Sequence, residues 1–229
     1  MGIAERRERE KEQRRNDIID AAEQVFFARG WQTATMDDVA GAAELSKATL
    51  YLYFKNKEEL YAAILSRGSD ILHGMFREAV ESNESGIEQT AAIGRAYMQF
   101  HEEHRDYYDA MLYFDTKGFD TCDDCSYGQI CVEAKEKIMK LVSCAVANGV
   151  ADGTLRADLD PVKTAVLLWA SSSGVLSALA TTGDNIREVH GFDKIAFVDA
   201  FFEFTFHAIA ADPNAALDNL NAGKDDQES

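Results

Sequence analysis

Three groups of side chains could do chemistry. Cys122, Cys125 and Cys131 stand at C-x2-C-x5-C spacing with Asp123 and Asp124 between them, the spacing of a metal or redox site. Zinc requires four ligands, and Cys144 is a poor fourth, since thirteen residues of helix at about 1.5 Å per residue place it ~20 Å from Cys131. His101, His104, an aspartate or a second subunit would have to complete the set. In a reducing cytosol Cys122 and Cys125 could instead form a regulatory disulfide, or all three thiols could be inert. The metal, redox and inert readings stay open.

The second group is Thr35, Ser46, Lys47, Thr49, Tyr51, Tyr53 and Lys57, hydroxyls and ammoniums within 23 residues. Such groups suit phosphates and base edges. The third is aromatic: Tyr97, Phe100, His101, Tyr107, Met111 and Phe114, together with Tyr108 and Tyr113, fall within eighteen residues, and Trp169 lies near Ser171 to Ser173. Aromatic walls with few polar groups suit a small apolar or aromatic effector, although ordinary core packing uses the same residues. Enzyme signatures are missing. His101-Glu-Glu-His104 lacks the H-E-x-x-H spacing, and there is no G-x-S-x-G elbow, phosphate loop or di-iron Glu-x-x-His pair. No enzyme activity and no cofactor are expected.

The second group must be positioned by short helices. Thr35-x-x-Asp38 is a capping box ahead of Met36, Val39 and Ala40, so a helix begins there. Ser46 restarts the pattern as an N-cap, with Leu45 and Leu50 spaced as a hydrophobic staple and Leu50 and Phe54 on one face. Lys47, Thr49, Tyr51 and Tyr53 fall on the other faces. Asn56 with Glu59 supplies a third cap, which brings Lys57 to a helix N-terminus, a corner that suits a phosphate. Residues 16–30 form the bracing helix before them, with Ile18, Ala22, Val25 and Phe26 on one face and Gly30 as its stop. The sum is a helix-turn-helix.

IIDAAEQVFFARGWQTAT, TMDDVAGAAELS and SKATLYLYFKNKEEL together resemble the TetR family of one-component transcriptional regulators, closely over residues 16 to 65 and loosely beyond. The resemblance implies that Ser46, Lys47, Thr49, Tyr51, Tyr53 and Lys57 meet double-stranded operator DNA, with Thr35, Tyr51 and Lys57 mainly at phosphates. One residue departs from the pattern. Glu44 stands where the family usually has glycine, so either the turn relaxes or a left-handed non-glycine residue costs about 1–2 kcal/mol.

The net charge of −17 sits oddly with a DNA partner until its distribution is considered. Residues 1–60 carry ten Lys and Arg against twelve Asp and Glu, so nearly all the excess acid lies in residues 61–229. Residues 5–15, ERREREKEQRR, hold six basic and four acidic groups and read either as a positive arm reaching DNA or as a solvated extension of the first helix with Glu5–Arg9 and Glu10–Arg14 pairs.

With only two prolines and no sustained strand alternation, the class is all-α: an N-terminal three-helix DNA-binding domain (1–55) and a C-terminal helical effector-binding and dimerisation domain (56–229) with a disordered tail. A long connecting helix runs from residue 57 to about 80, with Gly68 and Gly74 as points of softening or small cost, followed by helices near 87–104, 105–116, 126–149, 160–182 and 193–211. The run at 165–180 reads as too short for a bilayer, no signal-like N-terminus appears, and a soluble cytoplasmic protein without a membrane partner is expected. Residues 193–211 are apolar on nearly all sides, which predicts a homodimer in which 160–182 and 193–211 pair with the same helices of a second copy. Two heads would then stand roughly 34–36 Å apart, one DNA turn, on a palindromic operator. The rival readings are a helical ligand-binding or protein-interaction module without DNA binding, and a thiol- or metal-responsive regulator using Cys122, Cys125 and Cys131.

Overall fold

The computed structural model describes residues 2–117, 126–182 and 185–213. Within them lie α1 (Ile3–Arg29), α2 (Met36–Ala42), α3 (Lys47–Tyr51), α4 (Lys57–Glu81), α5 (Gly86–Glu103), α6 (Arg105–Lys117), α7 (Ser126–Asp152), α8 (Pro161–Thr182), α9 (Asn185–His190) and α10 (Lys194–Ile209). The all-α expectation holds: no strand occurs among the described residues, and Leu155 and Ala210 make one isolated antiparallel bridge. Two elements differ from the sequence reading. The first helix starts at Ile3 rather than near residue 16, because the charged arm continues it, with Arg6 paired to Glu10 at 2.7 Å. The short α9 was not anticipated. The tail from residue 214 lies outside the described residues.

The chain divides into two compact units, residues 1–70 with 104–135 and residues 71–103 with 136–229. Packing therefore cuts the chain differently from a functional split at residue 55, since α6 and the start of α7 belong to the same unit as the three N-terminal helices.

In the first unit, the expected stripe of α1 (Ile18, Ala22, Val25 and Phe26) meets Met36, Val39 and Ala40 of α2, Leu50 and Phe54, and Leu60, Tyr61, Ile64 and Leu65 of α4. α6 joins this core through Ala110, with Tyr107, Met111 and Phe114 packed at its margin. The Tyr107 hydroxyl donates to Glu23 at 2.7 Å, and Arg67 of α4 donates to both Asp20 and Glu23, so α1, α4 and α6 share one polar cluster. Gly68 is explained by the same contact, since a Cβ there would lie 2.9 Å from the Tyr107 ring.

In the second unit, Ala91, Val146, Leu155, Phe206 and Ile209 form a core. The connector between α7 and α8 does more than turn the chain. Asp152 accepts from the Gly86 amide at 2.7 Å and Thr154 from the Ile87 amide at 3.2 Å, which caps α5. Asp160 accepts from the Lys163 amide, so the expected Asp-Pro start of α8 holds.

The turn between α2 and α3 does not relax. Glu44 adopts φ 54°, among the described residues the one non-glycine with positive φ, while the Leu45 amide reaches back to the Ala40 carbonyl. Replacing Glu44 by glycine should remove a left-handed penalty of about 1–2 kcal/mol, partly offset by the greater freedom of glycine in the unfolded chain. A urea titration of Glu44→Gly should show a gain of about 0.5–1 kcal/mol; an unchanged or lower midpoint would mean the turn stores no strain.

Candidate nucleic-acid interface

α3 is only five residues long, and its caps hold it. Ser46 accepts from the Thr49 amide at 3.1 Å and its hydroxyl meets the Thr49 hydroxyl at 2.8 Å. Ahead of α2, Thr35 accepts from the Asp38 amide while Asp38 accepts from both the amide and the hydroxyl of Thr35, completing the capping box. Those bonds, with the Arg29 guanidinium beside it, hold the Asp38 carboxyl below the usual aspartate range. Asn56 accepts from the Glu59 amide, and Glu59 reaches back to the amide of Lys55. All three predicted caps are present.

Caps and core together decide which side chains α3 presents. Leu50 and Phe54 are fully buried, which turns Lys47, Tyr51 and Leu52 outward. Tyr51 is 42% exposed and Leu52 82% exposed, so neither serves as core packing. Leu52 was not among the residues the sequence singled out; an apolar type within a helical stretch reads as core, and only its position beyond Tyr51 shows otherwise. Tyr53 differs from Tyr51 in being half-buried against the head's core. Lys47 pairs with Asp37 at 2.7 Å, and because both groups are largely exposed the pair is worth little.

Lys57 is less available than its place at the α4 N-terminus suggested. Its ammonium donates to the Trp31 carbonyl, stands 4.4 Å from the Trp31 ring centroid and 5.8 Å from that of Phe26, and burial there lowers its pKa. Trp31 is itself set by Phe26 and Tyr61, at 5.7 and 4.6 Å between ring centroids. Arg15, from the helical arm, lies over the Phe54 ring at 4.8 Å.

This geometry is a helix-turn-helix with its second helix outward. Residues 18–64 match the family described as bacterial regulatory proteins, tetR family. Residues 18–64 are therefore a DNA-binding domain of the TetR family. It is 36% identical over 92 residues to the HTH-type transcriptional activator FasR of Mycolicibacterium smegmatis, a match covering 40% of this chain and 42% of that one. Over 203 residues it is 26% identical to the HTH-type transcriptional regulator TtgR of Pseudomonas putida, covering 84% and 92%. The solved SmeT–triclosan complex shares the fold at a TM-score of 0.67 and 20% identity, covering 86% of this chain and 92% of that one.

The other expected sites fall in different places. Tyr97, Phe100 and His101 lie on α5, and Trp169 on α8, within the second unit; the Tyr97 hydroxyl meets that of Ser173 at 3.0 Å and its ring meets Phe76 edge-on. Tyr107, Met111 and Phe114 lie in the first unit, against the core of the head. Cys122 and Cys125 lie outside the described residues. Cys131 packs against the head's core, where burial, with Asp115 nearby, pushes its thiol up to about 11, and Cys144 is exposed on α7.

Two measurements follow from these placements. Tyr51→Ala should weaken duplex binding about tenfold with its melting temperature unchanged, whereas Tyr53→Ala should also cost about 1–2 kcal/mol of stability; equal effects on melting would mean that the two rings share one role. Alkylation followed by peptide mapping at roughly pH 8 should label Cys144 well before Cys131, because Cys131 carries little thiolate until far higher pH; rapid labelling of Cys131 would contradict its burial.

Proposed function

We propose that this regulator is a cytoplasmic homodimeric repressor that holds a palindromic operator and is released by a small apolar or aromatic effector. The observation that carries the proposal is the outward face of α3, where Lys47, Tyr51 and Leu52 are exposed behind a core fixed by Leu50 and Phe54. Thr35, Ser46, Thr49 and Tyr53 flank that face, and Lys57 joins them by exchanging the Trp31 carbonyl for a phosphate. Leu52 suits the methyl group of a thymine in the major groove. In this reading residues 1–55 read DNA and residues 56–229 bind the effector and the second subunit.

The unpartnered faces of α8 and α10 support the dimer. Val162, Val166 and Leu167 on α8, and Ile195 and Phe204 on α10, are exposed, Ile195 and Phe204 to 75%. The apolar surface of α10 divides along its length, with Phe206 and Ile209 in this chain's own core and Ile195 outside it. Covering each exposed side chain would contribute about 1.5–3 kcal/mol before the cost of association. α8 also overturns one sequence argument: Pro161–Thr181 is 21 residues, long and apolar enough by length and composition to cross a membrane. Its pairing with the equally exposed face of α10 favours a protein seam for that surface.

The effector would sit among Tyr97, Phe100, His101 and Trp169 in the second unit. SmeT is solved in complex with triclosan, an apolar aromatic molecule of the class those side chains would accept. Tyr107 gives α6 a grip on the head. Burial, then its bond to Glu23, raises its phenol to about 12, so it remains a donor to α1 at physiological pH. An effector can shift the regulator between two states by no more than its differential affinity for them.

Selection of duplexes from a random pool, followed by anisotropy titrations at several salt concentrations, tests this reading. Binding should be specific, and Lys57→Ala should reduce the salt slope by about one. Leu167→Glu with Ile195→Glu should yield a helical monomer in sedimentation that has lost operator affinity. No sequence preference, or a dimer that survives both glutamates, would sink the proposal.

A further inference from the structure

We infer that the first unit carries a second ligand site, for an organic cation, at the corner where α1 ends. A cavity of about 430 Å³ opens there between the end of α1, Tyr61 of α4 and the outer face of α6. Its walls include the rings of Phe26, Phe27, Trp31, Tyr61 and Tyr113, and its rim carries the carboxylates of Asp106 and Asp109. Aromatic faces beside carboxylates select a positively charged ligand with an apolar skeleton, since the ring quadrupole and the formal charges attract the same partner. The volume lies in the range of ordinary small-molecule sites.

An independent observation shows that these rings accept a cation. The Lys57 ammonium already stands 4.4 Å from the Trp31 ring centroid and 5.8 Å from that of Phe26, and it is a side chain whose solvation would otherwise hold it in water. Trp31 is packed between Phe26 and Tyr61, with centroids at 5.7 and 4.6 Å, so the wall is built in advance. The Tyr61 hydroxyl donates to the Ala110 carbonyl, which fixes that ring against α6. Two arginines stand nearby and both are matched: Arg29, which lines the cavity, pairs with Asp38, and Arg105 with Asp109 at 3.2 Å. Asp106 is in no ion pair among the described residues, so it and the Lys57 ammonium on the Trp31 ring set the residual charge of the site.

This site is separate from the effector residues of the second unit and takes the opposite chemistry, a charged rather than a neutral aromatic molecule. Its position also matters for output. The backbone of Trp31 accepts the Lys57 ammonium, so a ligand on the Trp31 ring seats itself against the residue that holds a DNA-facing lysine.

The test uses the full chain with phenyltrimethylammonium and its neutral isostere tert-butylbenzene as probes. Binding is read by calorimetry and by the indole N–H resonances of Trp31 and Trp169. Phenyltrimethylammonium should bind at least about tenfold more tightly than tert-butylbenzene, shifting the Trp31 resonance and sparing that of Trp169. Asp106→Asn with Asp109→Asn, both on the exposed face of α6, should preserve the melting temperature and weaken phenyltrimethylammonium about tenfold or more. Equal affinity for the two probes, a shift confined to Trp169, undetectable binding, or a double variant that binds as before would each overturn the inference. None of these outcomes bears on operator binding, so this site and the proposed repressor function fail separately.

Discussion

A helix of five residues has no stability of its own, because the cost of its first turn is not recovered over so short a length. α3 is such a helix, and the DNA-reading side of the molecule depends on its being held still. The hold has two parts. Ser46 closes its N-terminus and Leu50 with Phe54 anchors its inner face, so the backbone that carries Lys47, Tyr51 and Leu52 outward is fixed from within, and Lys47 adds only its exposed pair with Asp37. The left-handed Glu44 is part of the same constraint: the angle between α2 and α3 requires positive φ at that residue, and the packing on either side is strong enough to impose it on a glutamate.

The second structural theme is that the head is braced from outside its own sequence. α1 and α4 flank the two short helices, and α6 closes on both through Ala110, Tyr107 and the Glu23–Arg67 cluster. The aromatic corner of Phe26, Trp31 and Tyr61 sits at this junction and draws in Lys57. A lysine read from sequence as a simple phosphate ligand is thus already engaged in the absence of DNA. Under the proposed function, DNA binding there would be an exchange of partners rather than the addition of a contact.

Much of this was legible beforehand because it is local. The caps at Thr35, Ser46, Asn56 and Asp160 depend on residues three apart, and the stripe of α1 depends on helical period, so both survive in any environment that permits a helix. The boundaries of α4, α5, α6 and α8 fell within a few residues of expectation for the same reason. What the sequence left open involved a choice between environments. Leu52 and Tyr53 are both large and both lie in a helical pattern, yet one is solvent-facing and the other packs on the core. The charged arm could be an extended chain or a helix, and its i,i+4 charges favoured the helix.

By itself the sequence determined the helical class, the places where helices begin, the two-helix reading head and the residue on which the geometry of its turn hinges, since each follows from the chemistry of a few neighbouring side chains. Tertiary structure alone decided that Tyr107, Met111 and Phe114 belong with the head and Tyr97, Phe100 and His101 with the other unit, that the connector after α7 caps α5, and that Lys57 rests on Trp31. Those outcomes pair residues tens of positions apart. Which of two aromatic faces meets a given helix is set by how the helices close on one another, a quantity that no local spacing encodes.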